Sequence, residues 1–160
     1  MDMLTQGSLF FQFVLPVLIA FTACTGFCVI FNIRGTNLWF AAVGGAISWL
    51  TYLLCAGSGS EVFQCFAGGI VISLYAEIVA RIRRTPSTCI LIIGLLPLVP
   101  GAGVYYTMKY CVQGEYALFA EKGMSTLTAA GAIALGVMLV ISIFRMLIHL
   151  RLHIRRKKKA

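Results

Sequence analysis

Apolar residues run along this chain in five long stretches, Leu9 to Phe31, Leu38 to Ala56, Val62 to Ala80, Thr88 to Val112 and Thr126 to Ile148. Each has about the 20 mainly apolar residues that a helix needs to cross a bilayer. The segments between them, Asn32 to Asn37, Gly57 to Glu61, Arg81 to Ser87 and Gln113 to Ser125, are short, so successive helices should pack antiparallel. The pattern predicts an all-α fold: a polytopic membrane helix bundle of five transmembrane helices forming one domain over residues 1–160, with a basic tail at 149–160.

One stretch departs from the pattern. Pro97, Pro100, Gly101 and Gly103 fall inside the fourth apolar run. At 1.5 Å rise per residue Pro97 lies roughly 13 Å from Thr88, near the middle of a ~30 Å hydrocarbon core. The fourth helix is therefore expected to be broken between Pro97 and Gly101. Pro100 cannot continue the first half but suits the first turn of a second half running through Tyr105, Tyr106 and Met108. A helix that starts inside the membrane aims free amides and the positive end of its dipole at the midplane, where they suit an anionic group such as a carboxylate. Gly101 and Gly103 would let a solute reach the backbone. A proline kink healed by neighbouring helices is the competing reading.

Composition narrows the class. The chain of 160 residues is 60% hydrophobic and 11% charged, with a mean hydropathy of +0.94, whereas a soluble domain carries about 25% charged residues. The net charge of +8 does not point to nucleic acid, because the basic residues lie beside membrane spans rather than among exposed aromatics. They report orientation instead. Arg34, Arg81, Arg83, Arg84, Arg145 and the run from Arg151 to Lys159 share one side of a five-span arrangement; Lys109, Lys122, Asp2, Glu61, Glu115 and Glu121 fall on the other. This places the N-terminus outside and the C-terminus in the cytoplasm, in the cytoplasmic (inner) membrane. The acidic start, Met1-Asp2-Met3, is unlike a signal peptide, so the first span is expected to be retained. The tail is placed to touch anionic lipid head groups.

Few residues carry candidate chemistry. Glu77 is the one acid within a span, which makes it a coupling candidate, although Arg81 at i+4 offers it a helix-surface ion pair. Asn32, at the end of the first span, lines a pathway or simply ends a helix. Tyr105, Tyr106, Tyr110 and Tyr116 suit an interfacial aromatic belt, or Tyr105 and Tyr106 gate the broken helix. Small residues four apart, Gly44 with Ser48, Gly69 with Ser73 and Ala132 with Gly136, suit close helix packing in lipid. Cys24 and Cys28 read as buried small hydrophobes, while Cys55, Cys65 and Cys111 near the outer ends leave a disulfide open. No metal-ligand spacing, carboxylate pair or nucleophile-base arrangement is present, so neither a cofactor nor an enzyme is expected.

The order Gly26-Phe27-Cys28-Val29-Ile30-Phe31-Asn32, followed by Leu96-Pro97-Leu98-Val99-Pro100-Gly101 and Tyr105 to Met108, resembles the C-terminal, small-subunit half of the threonine/serine exporter family. The resemblance implies export of small amino or carboxylic acids, threonine, serine or dicarboxylates, with a larger membrane partner subunit. It carries over to Asn32, Pro97, Pro100 and Gly101. A non-transporting structural or assembly subunit is the alternative, since it would need the packing glycines but no open backbone.

Overall fold

The computed structural model describes residues 10–157, with the side chains of Phe10, Gln12, Ser58 and residues 149–157 excluded. Asp2, Lys158 and Lys159 therefore lie outside the described residues, as do the other basic side chains of the tail expected to touch lipid. Six α-helices follow one another: α1 (Leu15–Ile30), α2 (Thr36–Leu54), α3 (Glu61–Arg83), α4 (Ser87–Leu95), α5 (Gly101–Gln113) and α6 (Tyr116–Lys157). A π-turn at Phe10–Val14 precedes α1, and 3-10 turns at Cys55–Ser58 and Leu96–Leu98 follow α2 and α4.

The chain is a polytopic helical membrane protein. Helices α2, α3 and α6 are each long and apolar enough to span, and α4 with α5, bent by 55° at the break, makes a fourth if the pair crosses as one broken span. The count differs from five at the first stretch, because α1 alone has 16 residues; the 5-residue π-turn that runs directly into it brings the continuous helical stretch to the ~20 residues a span needs.

A second difference concerns Gln113 to Ser125, expected as a connection. Gly114, at φ 75°, ends α5 in a Schellman turn in which the Glu115 amide donates to the Tyr110 carbonyl at 3.0 Å. Helix α6 begins directly afterwards at Tyr116. Glu121 and Lys122 suggested a loop by their polarity, but both are exposed on the helix surface, where charge costs helical structure little.

Small residues hold the bundle together. Among lipid tails apolar side chains gain little by leaving for a protein surface, so helices associate through close van der Waals contact. Helices α3 and α6 cross with backbones touching. A β-carbon on Gly136 would lie 2.7 Å from the Phe66 carbonyl oxygen, and one on Gly69 would lie 2.9 Å from that of Ile133. Cys65, Ala129 and Ala132 fill the same seam, so the Cys65 thiol is buried rather than presented for a disulfide. On the other side α2 packs against α1, α3 and α4, with Cys24, Cys28, Ala41, Ala42 and Ile93 forming a core. Helix α5 packs chiefly on α6 and buries no residue.

Candidate solute site at the helix break

The break is built in three steps. Pro97 has no amide to offer the Ile93 carbonyl, so the chain tightens into the 3-10 turn and the Leu96 amide bonds to Ile93 instead. Val99 then turns extended, and Pro100, at φ −75° and ψ 62°, forms an inverse γ-turn that brings the Gly101 amide 2.7 Å from the Val99 carbonyl. Helix α5 starts there, the Val104 amide donating to the Pro100 carbonyl at 3.1 Å. Between these two bonds the amides of Ala102 and Gly103 have no backbone acceptor among the described residues. They are the free amides of a half-helix start.

The end of α4, by contrast, is sealed by other helices. The Cys24 thiol of α1 lies 3.5 Å from the Ile93 carbonyl oxygen. The Ser48 hydroxyl of α2 donates to the Gly94 carbonyl at 2.6 Å. Both side chains are almost fully buried. Their approach requires glycine on the facing helices: a β-carbon on Gly45 would overlap the Cys24 sulfur, and one on Gly94 would overlap the Ile72 side chain. The Leu98 side chain completes the seal, lying 2.9 Å from where a β-carbon on Gly68 would stand. Ser48→Ala is expected to lower stability by about 1–2 kcal/mol, since a buried carbonyl loses its donor. The thermal unfolding midpoint of the purified protein in detergent measures it.

Against this seal lies a cavity of about 310 Å³, lined by Pro16, Ala20, Cys24, Phe27, Trp49, Leu96 and Pro97 among others. Its walls are apolar. The indole N–H of Trp49 is buried there without an acceptor, its ring stacked on Tyr52 at 5.1 Å.

The residues singled out from sequence do not converge on one cavity. Pro97 lines the apolar cavity, whereas Gly101 and Gly103 do not. Gly101 is exposed, with nothing within 4 Å of an added β-carbon. Gly103 is a packing position, since a β-carbon there would meet Thr126 of α6 at 2.5 Å. Tyr105 is exposed and lies edge-on to Tyr106 at 5.4 Å.

Asn32 sits at the far end of α1, in a left-handed conformation at φ 55°, where asparagine is among the better tolerated residues. It closes α1 as a Schellman turn, with the Ile33 amide donating to the Cys28 carbonyl at 2.9 Å. Its side-chain oxygen accepts from Arg34 Nε at 2.8 Å.

Glu77 is paired with Arg81 at 2.9 Å, and the Arg81 guanidinium also covers the Phe144 ring at 4.3 Å. Glu77→Gln is expected to cost about 0.3–0.5 kcal/mol, the worth of such a helix pair. Loss of the response of efflux to a pH gradient in that variant would give Glu77 the coupling role.

Sequence reasoning missed Cys24 and Ser48 as the groups that seal the break. Both were legible as small and buried, but the carbonyls they reach lie 69 and 46 residues away along the chain.

An interrupted helix held within a bundle of apolar spans defines the class: a polytopic α-helical membrane protein with a discontinuous span. The family model of the threonine/serine exporter, ThrE, matches residues 16–143, and the chain belongs to that family. The match runs from the start of α1 into the second half of α6, so it includes the break. Its family makes the protein a membrane transporter of the threonine/serine exporter type. No curated protein and no solved structure matches the chain.

Proposed function

We propose that this chain is the smaller subunit of an exporter that moves small amino acids, threonine and serine first, with other small carboxylic acids as candidates, out across the cytoplasmic membrane. With α1 and the π-turn before it counted as the first of five spans, the N-terminus faces outside and the C-terminus the cytoplasm. The observation that carries the reading is the asymmetry of the break: α4 ends against donors from α1 and α2, while α5 starts with the amides of Ala102 and Gly103 unmatched. Free amides at an intramembrane helix start suit a carboxylate. A simple healed kink would leave neither half open.

The γ-turn at Pro100 is the natural hinge, because α5 is tied to the bundle chiefly through α6. Alternating access then moves α5 against α4 and exposes the break first to one side and then to the other. The partner subunit packs where this chain leaves α5 uncovered. The test is efflux of labelled threonine, serine and succinate from cells expressing this chain, a larger multi-span member of the exporter family as candidate partner, or both. Faster efflux only with both is expected. Unchanged efflux, with both proteins in the membrane, overturns the reading and leaves an assembly subunit.

A further inference from the structure

A second cavity, of about 280 Å³, opens at the end of the bundle that carries Arg34, Arg83 and Arg84, between the α1–α2 turn and the start of α4. Its walls are more polar than those of the cavity at the break: Asn32, Arg34, Asn37 and Thr85 line it together with Cys89 and the apolar side chains of Phe31, Ile33 and Ile90. Two of these groups are unsatisfied. Asn37 Oδ1 and Thr85 Oγ1 are both buried from solvent and neither has a hydrogen-bond partner. A buried polar group left unpaired costs about 1–3 kcal/mol, so the Asn37 carbonyl oxygen calls for a donor and the Thr85 hydroxyl for a partner of either kind. Arg34 supplies the opposite need. Its Nε is oriented by Asn32 at 2.8 Å, and no carboxylate among the described residues pairs with its guanidinium.

We infer that this pocket is a docking site for the zwitterion of a small α-amino acid, with the carboxylate on Arg34 and the ammonium against Asn37 Oδ1 and Thr85 Oγ1. The inference rests on the proposed export reading for its substrate and its side, since on that orientation the pocket faces the cytoplasm, where exported solute arrives. Guanidinium and carboxylate form the stronger, charge-assisted bond. A phosphate or another plain anion would satisfy Arg34 but leave the Asn37 carbonyl oxygen without a donor, which favours a zwitterion. One side of the pocket is held in place before the solute arrives, because Asn32 closes the α1 cap in a left-handed conformation and orients Arg34 Nε at 2.8 Å.

Cys89 makes the pocket measurable. It is exposed, whereas Cys24, Cys28 and Cys65 are buried, so Cys55→Ser with Cys111→Ser leaves one accessible thiol. The rate at which a maleimide labels Cys89 is measured in membranes containing the chain and its partner, with added threonine, 3-hydroxybutyrate lacking the ammonium, or 1-amino-2-propanol lacking the carboxylate. Threonine at ten times its half-protecting concentration is expected to slow labelling about tenfold, and each analogue at the same concentration far less. Arg34→Gln is expected to raise the half-protecting concentration at least about tenfold, each protein's rate being referred to its own rate without threonine. Thr85→Val should weaken protection in the same direction. Absence of protection by threonine, equal protection by both analogues, or full protection in Arg34→Gln overturns the inference. Efflux from the same cells separates the two readings: protection without efflux upholds the pocket and removes export, and efflux without protection does the reverse.

Discussion

Gly136→Leu is expected to abolish accumulation of folded protein, and Gly136→Ala to lower its stability by about 1–2 kcal/mol. In a helix interior, alanine is worth about 0.8–1.0 kcal/mol over glycine, so on propensity alone the smaller change should stabilise. Contact decides the sign. The added β-carbon would stand 2.7 Å from the Phe66 carbonyl oxygen and 3.2 Å from the Ile70 amide nitrogen. Both are backbone atoms of α3, so no side chain can swing aside, and the helices must separate.

A gap of 0.5–1 Å already forfeits about a quarter to a half of each van der Waals contact across it. In lipid such contact is most of what holds α3 to α6. Gly131 is the internal control. It lies on the same helix, and an added β-carbon there meets nothing within 4 Å, so Gly131→Ala is expected to gain about 0.5–1 kcal/mol. Unfolding midpoints of the three proteins in one detergent give the comparison.

The α3–α6 seam was legible in the sequence as Ala132 with Gly136 and Gly69 with Ser73, because four-residue spacing puts small side chains on one helix face. Which glycine meets which could not be read, since that depends on crossing angle and register. The break was legible too. Prolines cannot make the interior bonds of a helix, so Pro97 and Pro100 marked its limits within a residue. Hidden from sequence were the groups around it. Ser48 looked like a packing residue, and only the fold brings its hydroxyl to Gly94.

The polar pocket was half visible through Asn32. Arg34 counted only as a topology charge, and Asn37 and Thr85 lie in connections where polar residues are ordinary. The helix over Tyr116 to Ser125 was misjudged because charge was taken to mark a loop, when an exposed helix surface accommodates it equally well.

Gly101→Leu is expected to leave the protein intact and stop transport. The position is exposed, with no atom within 4 Å of an added β-carbon, and it opens α5, where leucine favours helix more than glycine by most of the ~1 kcal/mol scale. Folding of this chain therefore has no reason to fail, and co-purification of the partner checks assembly. The leucine side chain does, however, crowd the backbone beside the Ala102 and Gly103 amides. A carboxylate that loses charge-assisted bonds there loses about 1.5–3 kcal/mol for each, or at least about tenfold in affinity.

The most direct measurement is threonine efflux by Gly101→Leu beside the unsubstituted protein, each expressed with the larger partner and normalised to its amount in the membrane. Undiminished abundance with efflux reduced at least about tenfold is the expected result. Undiminished abundance with undiminished efflux would contradict a solute path through the break.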